Sequence, residues 1–278
     1  MNNPTKEIQL VIFDWAGTTI DFGSRAPASA FVGIFAANGI EATDAQAREP
    51  MGLNKREHLI AMLSMPMIAE RWNTTHGRDW TEADVNAMYN AFIPVQLESI
   101  QKNAGLVPGL MDVVSQIQSR GIKLGGTTGY FRAAADAVLQ CATEAGYEPD
   151  ANVCADDVPH GRPAPWMIYR VMEQLNVFPP SSVVKVGDTV ADIEAGLAAG
   201  CWSIGVCDSS SLMGLSHSDY ESLPPDEQTE RLGRVAIRFR DEGAHATIRS
   251  ISDLPALIDV IQQEGYHPHA VVEKPELA

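Results

Sequence analysis

From residue 109 onward the chain alternates, and this alternation constrains the fold more than any other feature. Short runs at 122–127, 151–154, 183–187 and 202–206 read as strands, separated by stretches at 110–120, 131–145, 164–176 and 190–199 that read as helices. Strand and helix in this rhythm build right-handed crossovers and a parallel sheet. One more strand-like run, at 8–14, stands far upstream: it is short, β-branched and ended by a turn. The expected fold class is therefore α/β, a Rossmann-like parallel sheet core.

Between the first strand and the rest, residues 26–102 read as almost all helix. Pro27 opens one helix and Gly39 closes it; a second follows Asn54 over 55–65. Another starts at Thr81, with Asp84 three residues on as a variant of the capping box. Pro94 is expected to kink or break that helix. At about 150 residues per domain, 278 residues suit two domains. The expectation is a core made of 1–23 and 103–278, with a helical cap, 24–102, inserted after the first strand. Residues 267–278 read as a solvated tail.

Composition narrows the function classes. Twenty basic against 36 acidic residues give a net charge of −16, which opposes binding to nucleic acid or an anionic membrane. An anionic small-molecule substrate then has to be held by local positive charge. No apolar run approaches the ~18 residues of a membrane helix, and the polar N-terminus lacks a signal-peptide core. A cytoplasmic location is expected. The four cysteines, Cys141, Cys154, Cys201 and Cys207, show no metal-site spacing and read as buried thiols.

In an open α/β sheet, ligands bind beyond the carboxyl ends of the strands. Four polar segments fall there: Asp14 in F-D-W-A-G-T-T, Thr127-Thr128-Gly129-Tyr130, Gly161-Arg162-Pro163, and Gly187-Asp188-Thr189-Val190-Ala191-Asp192. Each alone is ordinary turn or cap chemistry. Together, at one edge and in one order, they supply a nucleophilic carboxylate, a hydroxyl and amide for phosphate, a cation, and further carboxylates for a metal.

This set resembles the haloacid dehalogenase superfamily, whose four motifs match in order and whose cap falls where the helical block lies. The resemblance implies Asp14 as the nucleophile that takes the phosphoryl group, and Thr128 and Gly129 at the phosphate. Arg162 stands where many members carry Lys, its planar fork suited to bidentate phosphate binding. It also implies Mg²⁺, held by Asp14, the Ala16 carbonyl and Asp188, with Asp192 and Thr189 supporting the metal shell. Many members carry a second aspartate two residues after the first, as general acid; here that position is Ala16. The metal-binding carbonyl is kept and the acid is lost.

A replacement lies in P-M-G-L-N-K-R-E-H, residues 50–58. Lys55 begins a helix, where desolvation and the positive helix end lower an amine's pKa. Free amine and an aldehyde give an imine. Were the aldehyde one carbon from phosphorus, the iminium would accept the electrons of the breaking C–P bond, and no acid would be needed. V-I-F-D-W-A-G-T-T, P-M-G-L-N-K-R-E-H, T-T-G-Y, D-D-V-P-H-G-R-P-A-P-W and K-V-G-D-T-V-A-D together are similar to the phosphonatase family within that superfamily. This resemblance implies hydrolysis of phosphonoacetaldehyde to acetaldehyde and phosphate, with Lys55 as the Schiff-base residue, and a homodimer formed through the caps. Met51 and Gly52 are expected to shape the aldehyde pocket. His58 is placed with the substrate-binding residues, where it could shuttle protons for imine formation, with a polar partner on the cap surface as the alternative; Trp15 and Tyr130 could line the pocket or only pack; His160 reads as structural. Met62 and Met67, in a stretch with three Met around Pro66, are candidate dimer contacts. The rival enzyme is a capped phosphatase or phosphomutase acting on a small phosphate ester, which would need another acid. A non-enzymatic phosphoacceptor or metal-dependent binding module would have no use for Lys55.

Overall fold

The computed structural model describes residues 7–263, so the expected tail at 267–278 lies outside the described residues. Strand β1 (Leu10–Phe13) is followed by five helices: α1 (Arg25–Ala37), α2 (Asp44–Arg48), α3 (Lys55–Leu63), α4 (Pro66–His76) and α5 (Glu82–Asn103). The alternation then runs α6 (Leu110–Ser119), β2 (Lys123–Thr128), α7 (Arg132–Glu144), β3 (Ala151–Cys154), α8 (Trp166–Gln174), β4 (Val183–Gly187), α9 (Val190–Ala199) and β5 (Trp202–Val206). Three helices and a strand complete it: α10 (His217–Glu221), α11 (Pro225–Asp241), β6 (Ala246–Ile248) and α12 (Leu254–Gln263).

The six strands form one parallel sheet in the order β3-β2-β1-β4-β5-β6. All four residues of β1 are buried, as are all of β4 and β5, because helices cover both faces. Leu10 and Ile12 pack with α8 and α9, whereas Val11 and Phe13 face a larger cluster containing Ile117 of α6 and Val138 of α7. That larger cluster continues without interruption into the helical block, through Phe31, Leu59, Met62, Trp72 and Phe92. Register puts Phe13 beside both Gly126 and Val186, and the Asp14 amide donates to the Val186 carbonyl at 3.0 Å. The residues just past β1, β2 and β4 therefore come out level at one edge of the sheet.

Two expectations are corrected. Pro94 does not break its helix: α5 runs through it. Pro94 and Asn90, whose carbonyl loses its helical donor, are both exposed, so water can meet that carbonyl, while Met88, Phe92, Gln96 and Ile100 stay buried. Met62 is sealed in the core and cannot serve as a contact between copies, whereas Met67 is 59% exposed. Among the described residues, no helix is long and apolar enough to cross a membrane.

Candidate active site

Asp14 leaves β1 buried at the edge of the sheet, and the turn behind it is possible because position 17 is glycine. Gly17 sits at φ 87°, and a side chain there would run into the Asp188 carboxylate. Asp188 follows β4, and its Oδ2 accepts from the Ser211 amide at 2.8 Å. Its Oδ1 is buried without any hydrogen-bond partner. Thr189 caps α9 and donates its hydroxyl to Asp192 at 2.6 Å.

Arg162 is buried and links three groups. Its Nη2 donates to Asp14 Oδ1 and, at 2.9 Å, to the Thr127 carbonyl; its Nη1 lies 2.9 Å from Asp192 Oδ1. Its Nε has no partner, which leaves one buried donor for a ligand. Lys185, wholly buried in β4, reaches Asp192 Oδ1 at 2.7 Å. Burial would raise the Asp192 pKa, but Arg162 and Lys185 hold it below the usual range. Burial pushes Asp14 up, with Arg162 only partly offsetting it; burial, then Asp14 and Asp192, push Asp188 far up.

These shifts describe a site short of positive charge. Oxygens of Asp14, Asp188 and Asp192 all lie within 4.8 Å of one another, a buried acidic triad that could hold a metal. Asp192 is already engaged by Arg162, Lys185 and Thr189, so Asp14 and Asp188, with its orphaned oxygen, are the carboxylates left for an ion. An all-oxygen donor set of this kind fits a hard divalent cation.

Lys55 comes from the helical block. Asn54 caps α3 by accepting from the Glu57 amide at 2.9 Å, which fixes Lys55 as the first helical residue. The side chain is only 5% exposed, and its Nζ lies 4.9 Å from the Tyr130 ring centre and 5.7 Å from that of Phe31. Among the described residues it forms no ion pair. Burial lowers its pKa to about 8, opposed by Asp14. Lys55, Asp14, Ala16, Met51, Gly52, Thr128, Gly129, Arg162, Asp188 and Thr189 line one narrow space of about 20 Å³. That holds roughly one water molecule.

The lid of this space is seated by contacts only glycine permits. A Cβ on Gly129 would lie 2.8 Å from the Leu53 carbonyl oxygen and 2.9 Å from that of Gly52. Gly52 itself, at φ 97°, packs against Thr189 and Ala191.

His58 is placed elsewhere. It stacks on Phe31 with ring centres 3.6 Å apart, its Nε2 lies 2.9 Å from the Ala47 carbonyl, and it does not line the space. Burial, then Lys55, pushes its pKa well below the ordinary value, so the ring is neutral and Nε2 is the donor. Neither role open on sequence grounds fits this position: His58 does not reach the space, and it is sealed inside the helical block rather than on its surface. Tyr130 does line the space, whereas Trp15 packs behind it, edge to face on Tyr147 and bonded to Asn152. His160 is exposed on an outer groove with Glu57 and Glu194. Sequence reasoning missed three residues: Ser24 and Pro27, which line the space, and Lys185 beneath it. Lys185 stood directly before V-G-D, the one available signal.

The family model of haloacid dehalogenase-like hydrolases matches residues 8–200. A phosphonoacetaldehyde hydrolase of Hahella chejuensis is 45% identical over 264 residues, covering 94% of this chain and 90% of that one. The protein of that name from Bacillus cereus is 42% identical over 93% of this chain and 98% of its own. A crystal structure of a phosphonoacetaldehyde hydrolase-like protein from Oleispira antarctica superposes with a TM-score of 0.92 at 40% identity, covering 94% and 95% of the two chains. CbbY from Rhodobacter sphaeroides, solved with phosphate, shares the fold at a TM-score of 0.61 and 17% identity over 89% and 96%. The chain is thus a haloacid dehalogenase-like hydrolase, and within that family it belongs with the phosphonoacetaldehyde hydrolases.

Proposed function

We propose that this enzyme hydrolyses the C–P bond of phosphonoacetaldehyde to acetaldehyde and phosphate, through a Schiff base on Lys55 and a phosphoryl group carried by Asp14. One observation carries the reading: Lys55, buried and with no ion pair among the described residues, lines the same space as Asp14, where position 16 offers no acid. The names of the relatives support the same substrate.

The phosphonate is held by the buried Arg162 and by Thr128. The Lys55 amine adds to the aldehyde carbon, and loss of water leaves an iminium ion. A carboxylate oxygen of Asp14 bonds to phosphorus as the C–P bond breaks. The released electron pair runs toward the iminium nitrogen and leaves a neutral enamine, so no proton is needed on carbon at that moment. Protonation of the enamine carbon restores an iminium, which water hydrolyses to acetaldehyde and free Lys55. A second water displaces phosphate from Asp14. The cation proposed for the site is Mg²⁺, held by Asp14, Asp188 and the Ala16 carbonyl with Asp192 and Thr189 behind; when bound it supplies charge that offsets carboxylate–phosphonate repulsion.

We assign the closing unit to residues 24–102, acting as a cap on a core of 1–23 and 103–278. The protein acts in the cytoplasm as a homodimer through its caps, on a small phosphonate, with no nucleic-acid or membrane partner. A phosphatase or phosphomutase reading lacks its acid, since among the described residues the only carboxylates lining the space are Asp14 and Asp188. Phosphate release from phosphonoacetaldehyde, assayed with and without Mg²⁺ beside a simple phosphate monoester, tests the proposal. Release from the phosphonate alone is expected; equal turnover of the monoester would contradict it.

A further inference from the structure

Lys185 lies in the middle of β4 with no exposed surface, between Val184 and Val186. An ammonium group is rarely placed there without a task, because burial strips it of water. Its Nζ is 2.7 Å from Asp192 Oδ1 and donates to the Val186 carbonyl at 3.0 Å. The same Asp192 oxygen lies 2.9 Å from Arg162 Nη1, and Arg162 Nη2 donates to Asp14 Oδ1. Four buried side chains of alternating sign thus run from the middle of the sheet to the nucleophile.

We infer that Lys185 is a positioning residue for phosphoryl transfer, which acts through Asp192 to set the Arg162 guanidinium. With Lys185 in place, Asp192 divides its charge between two cations. Without it, Arg162 becomes the sole counter-ion of a buried carboxylate and is drawn toward Asp192, away from Asp14 and the incoming phosphoryl group. Lys185 does not line the space that Lys55 and Asp14 share, so imine formation should not depend on it. This inference rests on the phosphoryl-binding role proposed for Arg162.

Lys185→Met, close in volume and uncharged, separates positioning from simple packing. Three readouts are needed: kcat, the affinity for inorganic phosphate by calorimetry at fixed Mg²⁺, and the rate at which borohydride and acetaldehyde label Lys55. The expected result is a roughly 10- to 100-fold fall in kcat, the usual size for the loss of an outer supporting group, with weaker phosphate binding and unchanged labelling. Phosphate affinity and kcat at the parent level would overturn the inference. So would a parallel loss of all three, which marks a merely structural lysine. If Lys185→Met does not fold, Lys185→Gln retains a donor to Asp192 and is read by the same criteria. A parent enzyme that failed to cleave phosphonoacetaldehyde would refute the proposed function and remove kcat from the test, while phosphate affinity and labelling, which require no phosphonate, would still decide this inference.

Discussion

The chemistry proposed for Lys55 comes at a cost to the fold. Its pKa falls from 10.5 to about 8 on burial. Below pH 8 the folded and unfolded chains both bear the ammonium, and the folded one pays for desolvation in full. Between pH 8 and 10.5 the folded chain releases its proton first, the unfolded chain binds more protons, and stability rises with pH. Lys55→Met should therefore be inactive yet more stable than the parent at pH 7, by up to roughly 3 kcal/mol, with the gap closing toward pH 10. Urea unfolding of the two proteins across that range reads it; a variant less stable at pH 7 would contradict the cause assigned to the shift. Ala16→Asp sets a third carboxylate beside Asp14 and Asp188, and C–P cleavage should drop at least ~100-fold through crowding and added charge, measured as phosphate release. At this scale the meeting of Asp14, Thr128, Arg162, Asp188 and Lys55 around one space was legible, because their residue types and order mark the ends of strands and the start of a helix. Lys185 was not, since a lysine inside a strand reads alike whether it points to water or to a buried aspartate. His58 was half legible: its spacing from Lys55 was right, but ring stacking on Phe31 turned it into the helical block.

Elements were legible wherever local pattern and tertiary burial agreed. Strands β3, β4 and β5 fall at the expected residues, because each is a short apolar run that the sheet buries. Strand β6 went unseen: three residues long and only partly buried at the sheet's edge, it has no apolar run to announce it. At Pro94 a local rule met a stronger tertiary one, since the buried stripe of α5 outweighs one missing bond on its wet side. The loop before α3 and the turn after β2 form the other decisive element pair. Gly129→Ala would put a methyl group against the Gly52 and Leu53 carbonyls and keep the loop from seating. Such overpacking costs about 1–3 kcal/mol, so kcat/KM should fall roughly tenfold or more while far-ultraviolet circular dichroism stays unchanged. Parent-level kcat/KM would show that this contact does not govern closure.

At the scale of the whole molecule, a space of about 20 Å³ is small for a phosphonate joined to an aldehyde, and the proposed route of entry is a lifting of the helical block from the sheet edge. Sequence order disclosed a block of helices between β1 and the later strands; it could not disclose how closely that block meets the sheet edge, which depends on Gly52 and Gly129 meeting in space. Assembly is proposed through the same block: a dimer at twice 30.1 kDa is expected by light scattering, with a mass near 30.1 kDa at micromolar concentration as the contrary result. The central claim is that a lysine from the helical block and an aspartate from the sheet divide one reaction between them. Borohydride added during turnover of phosphonoacetaldehyde, followed by peptide mass spectrometry, tests it most directly. The account predicts an ethyl adduct on the peptide bearing Lys55, loss of activity in step with labelling, and neither adduct nor phosphate release in Lys55→Arg; full phosphate release by that variant, or turnover that borohydride leaves untouched, would contradict it.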